Sequence, residues 1–243
     1  MRDLFEAAKR LYLEAFPGEE QAFADALFAL GFPRYLEGLG ERGALYSMLF
    51  ALPYPIMTAQ GPIEARYLYA VATDKEQRGK GYAKQLLQQV AAEGTPVFLR
   101  PMSPSLFDFY KAAGFTPFSH YREISGAAQG DTEGITQLSP EAYLTARDGF
   151  LHAPYCRMTR EFLSLSFSIG GAIGKAGEFA ALYERDGDTV LFKEWWGAIE
   201  NAPRAAAFLG AARFEARFPD ENGTPFGVGV NIPEGCVFLA ALD

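Results

Sequence analysis

The segment Thr73-Asp-Lys-Glu-Gln-Arg-Gly-Lys-Gly-Tyr-Ala-Lys84 joins two glycines and several cations to the start of a helix with an apolar stripe. Glycines let a backbone approach a ligand closely. The unpaired N–H groups of a first helical turn, at the positive end of the helix dipole, attract an anion. Arg78 and Lys80 add positive charge. Such a segment is a cradle for phosphate or pyrophosphate, and its bland alternative is a solvated turn. Spacing decides which cradles it is not. A P-loop needs Ser or Thr after its Lys, but Lys84 is followed by Gln85. A dinucleotide fingerprint needs a third glycine where Lys84 stands.

The cradle needs elements to hold it. Leu4, Phe5, Ala8, Leu11, Tyr12 and Ala15 recur at helical steps, and Ala22 to Leu30 continues as a second helix ended by Gly31 and Pro33. The period then changes to that of a hairpin, Tyr35–Leu39 and Ala44–Leu52 around Gly40–Gly43, followed by a short strand at Ile56–Ala59. Ala65–Thr73 is apolar on both faces, as a central strand should be. Ala83, Leu86, Leu87, Val90 and Ala91 stripe a helix from about Gly81 to Glu93, and Val97–Arg100 is a short strand. Ser103 is the expected cap of the next helix, with Pro104 at its first position and Leu106, Phe109, Tyr110 and Ala113 on its buried face. Phe115–Phe118 begins another strand.

The cradle fits the pattern Arg/Gln-x-x-Gly-x-Gly/Ala through Arg78, Gly81 and Ala83. Two helices and a β meander precede it, Val71-Ala-Thr-Asp leads into it, and Leu106-Phe-Asp-Phe-Tyr-Lys-Ala-Ala-Gly-Phe115 follows. With these features residues 1–122 resemble the GNAT superfamily of N-acetyltransferases. The resemblance implies that Arg78, Gly79, Lys80, Gly81, Tyr82 and Ala83 bind the pyrophosphate of acetyl-CoA. It implies that the backbone of Val71, Ala72 and Thr73 bonds the pantetheine arm, and that Tyr110 protonates the leaving thiolate. Ser103 stands where many members carry Asn. Related enzymes often place a catalytic carboxylate on the central strand; here Tyr67, Leu68 and Tyr69 occupy it and the nearest acid is Glu64. The base is then Glu64, directly or through water, or a group elsewhere. One such group is the terminal carboxylate of Asp243, by analogy with the enhanced-intracellular-survival acetyltransferases. On spacing alone Tyr110 is a core tyrosine and Glu64 a solvated acid.

The second half carries no such motif. Ser125–Gly134 is the expected linker. A Ser139-Pro140 cap then opens a helix, Arg160–Ile169 is another, and Arg185-Asp-Gly-Asp188 turns a hairpin. A helix over Ala198–Leu209 and strands at Arg213–Phe218, Phe226–Ile232 and Val237–Leu242 close the chain. This order suggests a degenerate GNAT-like half, or else an unrelated α+β cap. Trp195 and Trp196 read as packing, or as a wall for an acceptor. His120, His152, Cys156 and Cys236 read as structural.

The expected architecture is α+β: a GNAT fold with a central mixed, mostly antiparallel sheet flanked by helices (1–125), plus a second, smaller α+β domain (135–243). The 243 residues suffice for both. The net charge of −8 argues against sequence-independent nucleic-acid binding and against anionic membranes. It divides into −1 up to residue 125 and −7 beyond, which suits a cationic acceptor or simply a soluble surface. Two cysteines fit a reducing, cytoplasmic setting, and two histidines do not suggest a metal site. No membrane span or signal peptide is evident. The expected activity is transfer of an acetyl group from acetyl-CoA to an amine of a small molecule or peptide. The alternative is a non-catalytic acyl-CoA-binding or regulatory protein. Nothing indicates an oligomer.

Overall fold

The computed structural model describes residues 2–17, 21–29, 31–41 and 44–239. In chain order the elements are α1 (Arg2–Ala15), α2 (Gln21–Ala29), β1 (Leu36–Glu41), β2 (Ala44–Pro53), β3 (Ile56–Thr58), β4 (Gly61–Ile63), β5 (Arg66–Thr73), α3 (Tyr82–Ala92), β6 (Val97–Leu99), α4 (Leu106–Ala112) and β7 (Thr116–Ala127). There follow β8 (Thr136–Leu138), α5 (Pro140–Asp148), β9 (Tyr155–Cys156), α6 (Arg160–Ile169), β10 (Gly170–Lys175), β11 (Phe179–Asp186), β12 (Thr189–Gly197), α7 (Ala202–Phe208), β13 (Arg213–Pro219) and β14 (Thr224–Val230). The class is mixed α+β, with antiparallel pairings prevailing, as expected.

The chain forms two compact units that interleave along the sequence. Unit 1 comprises residues 1–55, 63–116 and 228–232; unit 2 comprises 56–62, 117–227 and 233–243. The expected linker at Ser125–Gly134 therefore lies inside unit 2, where its first residues extend β7. In unit 1 the strands run β1-β2-β5-β6, followed by the last residues of β14. The core beneath is built from Leu49, Leu68, Leu86, Leu87, Val97, Tyr110 and Phe115. These positions are the apolar stripes of α3 and α4 and the inward residues of the strands, so patterning alone drives their burial.

In unit 2 the strands run β7-β13-β12-β11-β10-β8. Their core includes Ile173, Phe179, Phe192, Trp195, Ala205 and Phe214. Arg147 on α5 is fully buried and its Nε donates to Glu194 of β12 at 2.6 Å, while Trp196 donates its indole N–H to the same carboxylate oxygen. Both tryptophans are thus packing residues. Ser139 caps α5 by accepting from Ala142 N–H at 3.2 Å, as expected.

The two units share an order: two helices, two antiparallel strands, a third strand, a helix, and a fourth strand. In unit 1 the third and fourth strands are β5 and β6, and in unit 2 they are β12 and β13. Each pair is parallel, as a helical crossover requires. Two expectations need correction. The helix over Ala198–Leu209 begins as a 3-10 turn at Ile199–Asn201, and α7 starts at Ala202 with Pro203 in its first turn. The expected closing strand Val237–Leu242 is, among the described residues, one bridge between Val237 and Tyr155. Residues 240–243, Asp243 included, lie outside the described residues.

Candidate active site

β5 is the strand that shapes the site. Its parallel ladder with β6 joins Arg66 to Val97 and Tyr67 to Phe98 and goes no further. On its other edge the register with β2 jumps between Phe50 and Met48, and Ala70 sits at φ 54°. An extra residue in the left-handed region is a bulge, and it turns the end of the strand away from its neighbour. The chain then leaves Thr73 through a tight turn in which the Asp74 carboxylate accepts from Glu76 N–H at 2.8 Å.

The glycines come next. Gly79 and Gly81 have φ of 77° and 86°, a region where an L side chain is strained, and nothing lies within 4 Å of where a Cβ would stand on either. Gly81 is the N-cap of α3 and contributes no capping side chain. The first-turn N–H groups therefore sit beside open space with no side-chain oxygen supplied by the cap. This is the physical content of the cradle.

A cleft of about 520 Å³ opens here. Of the residues expected to hold a ligand, Val71, Thr73, Arg78, Gly79, Gly81, Tyr82 and Ala83 line it, and Tyr110 lines it with them. Ala72 is buried and its carbonyl accepts from Ser47. Lys80 donates to Gln77 at 2.8 Å and does not line the cleft. Ser103 is outside as well, its hydroxyl 2.9 Å from that of Ser105. It does not cap α4: Ser105 holds the N-cap position, without a side-chain bond. The reason is a turn in which Leu106 N–H reaches Ser103 O at 3.1 Å and Phe107 N–H reaches Pro104 O at 3.2 Å. That turn delays the helix past Pro104.

Gln77, Lys84, Leu106 and Phe109 also line the cleft and were not singled out from the sequence. Leu106 and Phe109 read there only as an apolar helix face; that face is also the cleft wall. Arg78 and Lys84 bring positive charge, and no carboxylate lines the cleft among the described residues. Arg78 Nε donates to Thr73 O at 3.2 Å, which holds the guanidinium stem beside the loop.

Tyr110 packs edge-on against Phe109 and Phe115, with centroids 5.2 and 6.2 Å away. Burial pushes its hydroxyl up to about 12. The hydroxyl therefore keeps its proton at neutral pH, and the residue lines the cleft. Glu64 is exposed and lines a separate cleft of about 540 Å³ with Arg34, Glu37 and Arg66. In that cleft burial, and then the charge of Glu93, raise the pKa of half-buried Glu37. Cys156 and Cys236 are buried thiols with sulfurs 3.8 Å apart, a proximity no motif announced. No group of three or more His, Cys, Asp or Glu side chains suited to a metal occurs among the described residues.

Residues 2–118 match the family model described as an acetyltransferase (GNAT) domain. Residues 2–118 carry a GNAT acetyltransferase domain. Solved structures of the same fold include a probable N-acyltransferase from Enterococcus faecalis, with 17% identity, 92% of this chain and 69% of that one covered, and a TM-score of 0.69. A GCN5-related N-acetyltransferase from Anabaena variabilis shares 13% identity over 94% and 70% of the chains, with a TM-score of 0.70. Eis1 from Mycobacterium abscessus shares 14% over 90% and 63%, with a TM-score of 0.59. No curated protein matches the sequence. The domain is thus of an acyl-transferring family, and the GNAT fold is the frame around the cleft.

The corresponding step in unit 2 is closed. The ladder between β12 and β13 stops at Phe192, and β12 has its own bulge where Leu182 pairs with Glu194 and Tyr183 with Phe192. A Cβ on Gly197 (φ 92°) would lie 2.2 Å from Glu178 O, and Trp195 stacks on Phe179 at 4.6 Å. The GNAT domain has an open loop over its helix; unit 2 has a filled one. No helix among the described residues is long and apolar enough to cross a membrane.

Proposed function

We propose that the chain is an acetyl-CoA-dependent N-acetyltransferase that passes an acetyl group directly to an amine of a small molecule or peptide. The observation that carries this reading is that Arg78, Gly79, Gly81, Tyr82 and Ala83 of the open glycine cradle line one cleft together with Tyr110. The cradle fits a pyrophosphate: open Cβ space, helix N–H groups and two cations. When bound, acetyl-CoA supplies the activated acyl group as co-substrate; no metal enters the reading. Val71 and Thr73, on the edge of β5 that β6 has left, offer backbone bonds to the pantetheine arm. Tyr110 donates to the departing thiolate. The attacking amine must be neutral, and the carbonyl oxygen gains negative charge that N–H donors stabilise. Glu64 lines a different cleft, so in this reading the base is Glu64 acting through water or a group elsewhere.

The acidity of the second half supports a cationic acceptor, the net charge of −8 disfavours a nucleic-acid or anionic-membrane partner, and the cysteine usage suits a cytoplasmic setting. Free-thiol release from acetyl-CoA across a panel of amines, amino acids and aminoglycosides tests the reading. Gly81→Glu should abolish coenzyme A binding, because a side chain and a negative charge enter the cradle. Retained affinity would overturn the assignment. One observation favours a second reading, a non-catalytic acyl-CoA binder: no carboxylate lines the cleft among the described residues. Tight coenzyme A binding without thiol release on any amine would select it.

A further inference from the structure

Ser47 is fully buried on β2. Its neighbours along the strand are Met48, Leu49 and Phe50. A hydroxyl in such a place costs stability unless it is bonded, and an apolar residue would serve the core at least as well. Its bonds lead to the cleft. Ser47 Oγ donates to Ala72 O at 2.9 Å and lies 3.1 Å from Thr73 Oγ1. A serine has one proton to give. With that proton on Ala72 O, the Thr73 hydroxyl donates to Ser47. Thr73 lines the cleft, and its carbonyl in turn accepts from Arg78 Nε at 3.2 Å. The bulge at Ala70 interrupts the β2–β5 register just before these residues.

We propose that Ser47 is a positioning residue for the cofactor edge, fixing the last two residues of β5 and, through Thr73, the Arg78 stem. The proposal rests on the reading of the cleft as a coenzyme A site. Ser47 touches no ligand itself. It adds a side-chain bond to the β2–β5 pairing that resumes at Ala72 and Thr73 beyond the bulge, so that their outward groups and Arg78 are set before the ligand arrives.

The test compares wild type, Ser47→Ala and Ser47→Thr. In Ser47→Ala the Kd for coenzyme A, by calorimetry, and the KM for acetyl-CoA should rise about tenfold, the value of one lost hydrogen bond. The kcat and the acceptor KM should stay within about threefold, and Ser47→Thr should recover the affinity. Thr73→Val, a change at a half-buried position, should weaken coenzyme A to a similar degree. The double variant should be no worse than either alone, because both break one chain of bonds. Coenzyme A affinity unchanged in Ser47→Ala would overturn the proposal. So would an additive double variant, or a uniform loss of kcat and of affinity for both substrates. If Ser47→Ala does not fold, Thr73→Val decides: unaltered coenzyme A affinity there overturns the proposal. Wild type that fails to bind coenzyme A would instead remove the reading of the cleft and the proposal with it.

Discussion

Tyr110 belongs to the core and to the cleft at once, and burial sets its chemistry. A tyrosine held near 12 has no ionised fraction to lose at neutral pH. Tyr110→Phe keeps the ring and the packing but removes the proton, so kcat should fall by about 10²–10³-fold with coenzyme A affinity unchanged. Steady-state kinetics beside calorimetry separates the two, and undiminished kcat would take Tyr110 out of the reaction. The same burial shapes the pH dependence. The rate should rise as the acceptor amine loses its proton and then hold level to pH 10. A descending limb below that pH, present in wild type and absent in Tyr110→Phe, would contradict a buried donor. Stability follows with a definite sign: the folded hydroxyl titrates near 12 and the unfolded one near ~10. The neutral form is favoured by folding, so its contribution is whole below pH 10 and is lost as pH rises from 10 to 12. Urea midpoints across that window should fall more steeply in wild type than in Tyr110→Phe.

At the scale of elements, the glycine that caps α3 and the glycine that ends β12 make opposite predictions. Gly81 and Gly197 both have positive φ, but a Cβ meets nothing at the first and the Glu178 carbonyl at 2.2 Å at the second. Gly81→Ala should cost only the left-handed strain, about 1–2 kcal/mol. Gly197→Ala adds a backbone collision and should cost more than about 3 kcal/mol, near the upper end for single substitutions. Thermal melts of both variants check this; equal losses would mean the two loops are not built differently. Here the sequence was partly legible. The cradle's glycine spacing, the α3 stripe and the Ser139 cap follow from local rules, and the structure has them. The bulge at Ala70 was not legible, because alanine carries no mark of a left-handed backbone. Nor was Ser47, whose role depends on a register 26 residues away. Ser103 misled because a serine before a proline makes an equally good turn, and a turn is what formed.

At the scale of the whole chain, the two units repeat one order of elements, and only one of them keeps an open cradle. Sequence order hinted at the repeat. It could not show that the units exchange segments, with β3 in one and residues 228–232 in the other, since those pairings join residues far apart in the chain. The filled counterpart explains itself in residues. Trp195 is fully buried against Phe179 and Phe192, Gly197 abuts a carbonyl, and Pro203 removes an N–H from the first turn of α7. An anion at that helix would find one donor fewer. Calorimetric titration of coenzyme A into the full chain should therefore give one site per chain, and Gly81→Glu should leave none. A second site surviving in Gly81→Glu would show that unit 2 binds the cofactor by a route other than the strand–loop–helix step. Loss of all binding in that variant, with its melting temperature kept within about 3 °C of wild type, would assign the whole of the coenzyme A affinity to Arg78–Ala83 and its cleft.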